Sequence, residues 1–447
     1  ESKAKSYDKV VVNIDKYPKD AKRSPEGYIS EVIGLEEDRD IDVLSILKAK
    51  NKKYKFNPET LREANAINTN LSQEDLKNRK DLTQENIFTI DGEDAKDLDD
   101  AISVKKLSKN LYELGVHIAD VSHYVRENSD IDREAFERGN SVYLINEVIP
   151  MLPKVLSNNV CSLNEGEIRL TLSVVMKINK DGNVIDSKVF ESYISSKARL
   201  NYPEVTSFLR GENPDFSKRH PEISEDLKVA EELAKILYKK RVKRGCIEFG
   251  FMETKIELDE NNVPIKVEPY ERGISNSLIE EFMLVANETI AEKFYNLQIP
   301  FVYRVHSHPR SEKLQLFDEV VKAYGYEFKY DDIEDIKPKE LQEFLNSIDN
   351  SEAKEPLKML LLQSMQQARY ASERDIHYGL ASEYYCHFTS PIRRYPDLKI
   401  HRLIKKYLNG AMKDTVIKEK YFKNVLEVAK YCSRTERIAE SAEEELD

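Results

Sequence analysis

The sequence predicts an α+β fold, a mostly antiparallel sheet with helices packed against one side of it. Alternating apolar and polar segments dominate the first half of the chain, and helical periodicities dominate the second. The length of 447 residues exceeds one ordinary core, so two or more domains, or one large domain with an appendage, are expected.

In chain order, residues 9–15 and 27–34 read as short strands separated by a polar, proline-containing loop. Two strands do not make a stable module. They read as the end of a small β-barrel whose beginning is missing, or as a piece that docks on the main body. Residues 59–67 and 72–79 predict short helices. Residues 111–121 alternate, with Tyr112, Leu114, Val116 and Ile118 on one face. Residues 171–178 and 184–195 repeat that pattern around a hairpin turn at 180–183. A helix over 225–244 carries Leu227, Ala230, Leu233, Ala234 and Leu237 on one stripe, with Gly245 just past its end. Ser277 and Glu280 match an S-x-x-E capping box that opens the next helix, with Ile279, Phe282, Met283, Ala286 and Ile290 inward. Residues 313–324, 357–370, 396–408 and 416–446 complete the helices, and no internal repeat is present.

The formal net charge of −12 argues against a protein that coats nucleic acid, whose basic footprint would dominate. It does not exclude a nucleic-acid enzyme with its positive charge gathered in a channel, and residues 239–244 and 393–406 are locally basic. Cys161, Cys246, Cys386 and Cys432 are widely spaced with no CxxC pair, which suits a reducing cytosol rather than disulfides or zinc. No apolar run reaches membrane length and no signal peptide is visible, so a soluble cytoplasmic protein is expected. The chain opens on Glu1 rather than Met, which reads as a fragment or a processed form.

Residues 90–102, IDGEDAKDLDDAI, place six acidic side chains within ten positions. Like charges raise one another's pKa values and resist burial. Either bulk water solvates a plain turn, or a divalent cation with oxygen ligands offsets the cost, Mg²⁺ being usual beside phosphate. Asp97 and Asp99 share a face if the backbone is extended, Asp100 points the other way, and Asp91 folds back towards them.

Three further stretches bear on chemistry. In 138–144 (RGNSVYL), followed by IPMLP at 149–153, Tyr143 is either a core aromatic or a ring presented for stacking on a base. In 387–398 (HFTSPIRRYPDL), Pro396 starts a helix, and the loop before it delivers Ser390, Arg393 and Arg394 to that helix's N-terminus. That is a phosphate site, or a pair of surface arginines in a capping loop. In 244–249 (RGCIEF), a glycine-led turn precedes Phe249. His117 and His123 read as hydrogen-bonded core or rim residues rather than ligands. An acidic metal-type loop, an arginine-bearing loop and stacking aromatics together describe a phosphodiester-cleaving site.

The runs TIDGEDAKDLDDAI, HIADVSHYV, RGNSVYL with IPMLP and LSNNVCSLN, RGCIEF, LIEEFMLVAN and HFTSPIRRYPDLKIHRLI resemble, in this order, the catalytic (RNB) domain of the ribonuclease II/ribonuclease R family. The Pro-Asp-Leu and Cys-Ser-Leu-Asn runs look closer to the ribonuclease R branch. The amino-terminal strands resemble the tail of a second cold-shock (OB-like) domain. The implied division is 1–58 for that segment and 59–447 for the RNB catalytic domain, without the first cold-shock and S1 domains usual in the family.

The resemblance implies that Asp91, Asp97, Asp99 and Asp100 hold Mg²⁺, with Mn²⁺ able to substitute, and that Asp99 is the one whose loss stops cleavage while RNA stays bound. It implies that Tyr143 packs on the 3′-terminal nucleotide, Arg393 grips the phosphate with Ser390 and Arg394 beside it, and Phe249 closes a stack of bases. Tyr202 and Glu280 match ribose contacts. Glu443 lies where ribonuclease II has a glutamate, although Glu444-Glu445-Leu446-Asp447 departs from the usual Arg-Asp pair there. The implied activity is processive 3′→5′ hydrolysis of single-stranded RNA to nucleoside 5′-monophosphates by a monomer that engages the RNA 3′ end, away from membranes. A non-catalytic RNB-fold RNA-binding protein, a metal-dependent endoribonuclease and a scaffold with a plain acidic turn stand as alternatives.

Overall fold

The structure is a computed structural model that describes residues 4–18, 20, 22–35, 41–144, 147–250, 253–259, 264–270, 272–349 and 351–446. The two expected strands, β1 (Asp8–Lys16) and β2 (Glu26–Leu35), pair antiparallel with each other, with three register shifts along the pair. Helix α1 (Ile41–Ala49) follows and buries Ile41, Val43 and Leu47. Helix α2 (Pro58–Asn65) starts on a proline whose missing N–H costs nothing in a first turn.

The second short helix shrinks to one turn, α3 (Gln73–Leu76). Ser72 and Asp75 form a capping box, but Arg79 leaves the helix axis because its guanidinium is drawn inward. It pairs with the buried Asp120 at 2.6 Å and with Glu191 at 3.1 Å. The anchored Arg79 leads into β3 (Lys80–Asp81).

The next strands are β4 (Phe88–Asp91), β5 (Asp100–Ser108) and β6 (Leu111–Ala119). Short helix α4 (Val121–Tyr124), helix α5 (Asp130–Arg138) and the small pair β7 (Val142–Tyr143) and β8 (Val148–Ile149) intervene. Then come β9 (Ile168–Asn179), β10 (Val184–Ser195) and β11 (Ala198–Asn201). The hairpin turn between β9 and β10 uses Gly182 at φ +77°, where a Cβ would be strained. Seven strands make the central sheet in the order β11-β4-β5-β6-β9-β10-β3. Its interior pairings are antiparallel, as expected, and only the two edge pairings, β11 with β4 and β10 with β3, are parallel.

Helices α6 (Tyr202–Leu209), α7 (Phe216–Arg219) and α8 (Pro221–Arg244) follow. The hairpin β12 (Glu253–Leu258) and β13 (Pro264–Tyr270) leads to α9 (Ile274–Asn296). Both long helices start earlier than the sequence pattern indicated. Pro221 opens α8, and Gly273 caps α9 by donating its N–H to Asn276 Oδ1 at 2.9 Å. Ser277 and Glu280 therefore lie inside α9, and the capping box assigned to them is not formed. Glu280 instead pairs with Arg272.

Helices α8 and α9 cover one face of the sheet. The opposite face is not simply solvated. His117 is buried there, between Ser103 Oγ at 3.0 Å and Ser173 Oγ at 2.7 Å, and Ser173 continues to Ser192. His117 is thus the satisfied core histidine expected, and His123 is a rim residue paired with Asp75 at 3.1 Å.

After β14 (Tyr303–Val305), helices α10 (Ser311–Ala323), α11 (Pro338–Ser347) and α12 (Ser351–Ser364) enclose a second apolar cluster around Phe317, Phe344 and Leu357. Helix α12 stops six residues short of the expected end. Residues 369–371 form β15 (Arg369–Ala371) against β14, because Tyr370 is buried and its hydroxyl meets His387 Nδ1 at 2.9 Å. Helices α13 (Tyr395–Leu408) and α14 (Thr415–Leu446) close the chain. Among the described residues no helix is long and apolar enough to cross a membrane.

Candidate active site

Strand β4 ends on Asp91 and neighbouring β5 opens on Asp100, so the acidic turn bridges two adjacent strands at one end of the sheet. Leu98 pins it. Its side chain is fully buried, its N–H donates to Ser162 Oγ at 3.1 Å, and its carbonyl accepts from Leu163 at 3.1 Å. With Leu98 inward, Asp97 and Asp99 on either side of it line the cavity. From β11, Arg199 donates to the carbonyls of Glu93 and Ala95 and holds the tip of the turn.

All four aspartates line one cavity of about 300 Å³. Asp100 therefore does not point away as two-residue alternation required. Regular strand geometry begins only at Asp100, and residues 95–99 are irregular, so the alternation has no extended backbone to run through.

Burial raises the pKa of each of the four carboxyls. For Asp91 the negative charges of Asp100 and Asp97 add to burial, and Arg199 and Arg393 work against it. Asp99 lies well above the carboxylate range through burial, despite Arg393 and the N–H of Ile392 that donates to its Oδ1 at 2.9 Å. Asp100 is pushed up to about 6 by burial, against the pull of Arg393 and Arg394. Oδ2 of Asp91 and Oδ2 of Asp99 are buried without a hydrogen-bond partner.

The opposing wall is the loop before α13. Arg393 is 41% exposed, donates to Ser390 Oγ at 3.1 Å and brings Nε to 3.8 Å from Asp99 Oδ2. Arg394, grouped with Arg393 in the sequence pattern, is engaged elsewhere. Its Nε and one terminal nitrogen fork onto the buried Asp397 at 3.0 and 2.7 Å. Arg393 is therefore the guanidinium of the two that faces the acids, while Arg394 belongs to the frame.

The same loop docks on the segment that carries Tyr143. Ser141 donates to the Arg393 carbonyl at 2.9 Å and Tyr395 donates to the Gly139 carbonyl at 3.0 Å. Gly139 is required there: its φ is +75°, and a Cβ would lie 2.0 Å from Thr435 Oγ1. Tyr143 is 42% exposed, which fits a presented ring better than a core one. Burial raises the pKa of its hydroxyl, and the charges acting on it are those of Arg393, Asp97 and Asp99. Its N–H donates to Glu443 Oε1 at 2.9 Å, so Glu443 meets the backbone of Tyr143.

Tyr202, Glu280, Ser390 and Arg394 line the acidic cavity as well, with Asn287, Thr389 and Tyr385. Glu280 pairs with Arg272 at 3.4 Å. Phe249 is not brought there. Among the described residues it packs against the second apolar cluster, because α8 delivers the segment after Gly245 towards α10–α12.

Pattern reading missed Arg199, Asn287 and Asp397. Asn287 sits on α9 and its Oδ1 accepts from Phe388 at 2.8 Å, which ties the helix to the arginine loop. Only Asp397 carried a local signal, an acid in the first turn of α13.

Crowded carboxylates with orphaned buried oxygens suit a hard divalent cation. Among the described residues no group of three or more His, Cys, Asp or Glu side chains is drawn together closely enough to hold a metal ion by itself, so the fit to a cation rests on the shared cavity and on the orphaned oxygens of Asp91 and Asp99.

A stability consequence follows. The pKa of Asp100 is higher in the folded than in the unfolded chain, so its contribution is most favourable below about pH 4 and is lost as pH rises through about 6. Ionised Asp100 then costs the metal-free fold roughly 3 kcal/mol. In EDTA at pH 7.5, Asp100→Asn is expected to melt above the parent, with the gap shrinking towards pH 4.5. Differential scanning calorimetry checks it; equal melting at all pH values would refute the strained cluster.

On this α+β scaffold, four carboxylates facing an arginine define a site for an anionic substrate held with a hard cation. The RNB domain family matches residues 79–410 and the Cold shock domain family matches residues 1–57. The chain belongs to the RNB-domain family. It is 47% identical over 448 residues to ribonuclease R of Thermotoga maritima, covering 99% of this chain and 62% of that protein. It is 42% identical over 439 residues to ribonuclease R 1 of Lactococcus lactis, covering 98% of this chain and 53% of that protein. The chain thus spans less than two thirds of each of these relatives. The structure of Mycoplasma genitalium ribonuclease R in complex with ribose-methylated single-stranded RNA superposes with a TM-score of 0.92 at 31% identity. That match covers 100% of this chain and 69% of the other.

Proposed function

We propose that the chain is the catalytic body of a processive 3′→5′ exoribonuclease that hydrolyses single-stranded RNA to nucleoside 5′-monophosphates with Mg²⁺, Mn²⁺ being able to substitute. The observation that carries this reading is the shared cavity. Asp91, Asp97, Asp99 and Asp100, two of them with orphaned oxygens, face Arg393 there, with Tyr143 beside it. The Mycoplasma genitalium relative, whose structure holds single-stranded RNA, supports RNA as the substrate class.

Mg²⁺ would be held by the four aspartates and would supply Lewis acidity to the scissile phosphate and to the attacking water. Arg393 donates its forked N–H groups to the non-bridging phosphate oxygens, where charge grows in the transition state. Ser390 Oγ, already the acceptor of an Arg393 hydrogen bond, holds that fork in place. Tyr143 offers its ring to the 3′-terminal base, and Glu443 holds the backbone beneath it. Tyr202 and Glu280 line the cavity, and a contact from them to a ribose 2′-hydroxyl would separate RNA from DNA.

We assign residues 1–58 to a cold-shock-type segment and 59–447 to the RNB catalytic domain, a division that the two family matches support. Four buried free thiols suit a reducing compartment, and we place the protein in the cytoplasm as a monomer acting on one RNA 3′ end.

A time course on 5′-labelled single-stranded RNA with Mg²⁺, and with EDTA, tests the reading. Full-length signal should convert to a short end product without intermediates, and EDTA should stop it. Fragments of intermediate size would establish an endonuclease, and bound but intact RNA a non-catalytic binder. Tyr143→Ala should change the length of the end product, since one stacking platform is worth roughly 1–3 kcal/mol of end anchoring. An unchanged end product would refute the stacking role of Tyr143.

A further inference from the structure

We infer that Asp397 is a positioning residue for the reaction: its carboxylate folds the 390–394 loop so that Arg393 and the N–H of Ile392 meet Asp99. This rests on the exoribonuclease reading of the same site and adds a residue that touches neither metal ligand nor substrate. Asp397 is fully buried, in the first turn of α13. It does not cap its own helix. It reaches back over the loop, where Oδ1 accepts from the Ser390 N–H at 2.8 Å and from an Arg394 terminal nitrogen at 2.7 Å, while Oδ2 accepts from Arg394 Nε at 3.0 Å.

Both ends of the loop are thus tied to one carboxylate. The Ser390 carbonyl then accepts from the N–H groups of Arg393 at 3.3 Å and Arg394 at 3.0 Å, which closes the turn. A turn closed this way leaves the N–H of Ile392 pointing outward, at 2.9 Å from Asp99 Oδ1. It also aims Arg393, whose terminal nitrogen rests on Ser390 Oγ. The chain of contacts runs from a buried ion pair through two residues of backbone to the acid expected to matter most. Displacing reacting groups by about 1 Å can cost roughly a hundredfold in rate, so the geometry of this loop has kinetic weight.

Asp397→Asn would leave Arg394 buried and unpaired. The test therefore uses Asp397→Glu, which keeps the charge but moves it by one methylene, and the apolar pair Asp397→Leu with Arg394→Met, which removes the acceptor and leaves no charge unpaired. Each is expected to lower kcat on single-stranded RNA about a hundredfold while KM stays within about threefold. Hydrogen exchange gives a readout free of catalysis: the amides of Ser390 and Ile392 should exchange roughly tenfold faster or more, with those of the last turns of α13 unchanged.

Parental kcat in either folded variant, or unchanged exchange at Ile392, would overturn the inference. So would loss of the fold in both, since Asp397 would then serve folding rather than the loop. If the parent itself releases no mononucleotides, the exoribonuclease reading fails on its own, and the exchange measurement still decides the role of Asp397.

Discussion

Asp99→Asn is expected to slow nucleotide release by about a thousandfold or more while RNA affinity stays within a few-fold, because lost transition-state charge stabilisation of about 4 kcal/mol converts to that factor. The structure gives the reason for the split. Asp99 Oδ1 is committed to the N–H of Ile392, and an Asn oxygen can keep that bond. Oδ2 is buried without a hydrogen-bond partner and 3.8 Å from Arg393 Nε, so on the proposed reading it is the atom that would meet a cation. Removing its charge would remove the proposed ligand without dismantling the loop. Arg393, Ser390 and Tyr143, the RNA contacts proposed above, would remain. Single-turnover release of the 3′ nucleotide and filter binding of the same RNA check the two halves separately. A variant that degrades RNA near the parental rate would refute the assignment of Asp99.

Arg393→Ala should lower kcat by about 10²–10³, the usual cost of removing one preorganised donor at developing charge. Arg393→Lys should recover only part of it, since an ammonium cannot present the planar fork that two phosphate oxygens accept. Arg393 suits this experiment because it is partly exposed and its partners are few: Ser390 Oγ, and Asp99 at long range. Little folding energy rides on it, so a rate effect is not obscured by unfolding. Arg394 is the contrast, a neighbour with the same side chain whose guanidinium closes on buried Asp397. Steady-state kinetics on a defined single-stranded RNA, with melting temperature as the control, reads the result. An unchanged kcat would put the charge stabilisation elsewhere.

The acidic cluster was legible in residues 90–102, because six carboxylates so close together demand either water or a cation. Strands β6, β9 and β10 were legible too, since a half-covered antiparallel sheet writes its faces as alternation. What failed did so for identifiable reasons. Helix α8 starts on Pro221, favoured in a first turn, and α9 starts behind the Gly273–Asn276 cap, so both begin upstream of the apolar stripes. Helix α12 ended six residues early, and the last two of these joined strand β15, where Tyr370 has a buried partner in His387. Phe249 follows a glycine-led turn, as read, but that turn leads to another apolar cluster.

Local chemistry written along the chain was sufficient for the fold class, the acids, the arginine loop and the aromatic beside it. Which oxygens stay orphaned, which of two adjacent arginines faces them, and that Asp100 shares the cavity were settled by packing. The reason is distance along the chain. Leu98 is pinned by Ser162, Asp99 by Ile392 and Tyr143 by Glu443, and contacts between residues so far apart in sequence leave no periodicity in either partner.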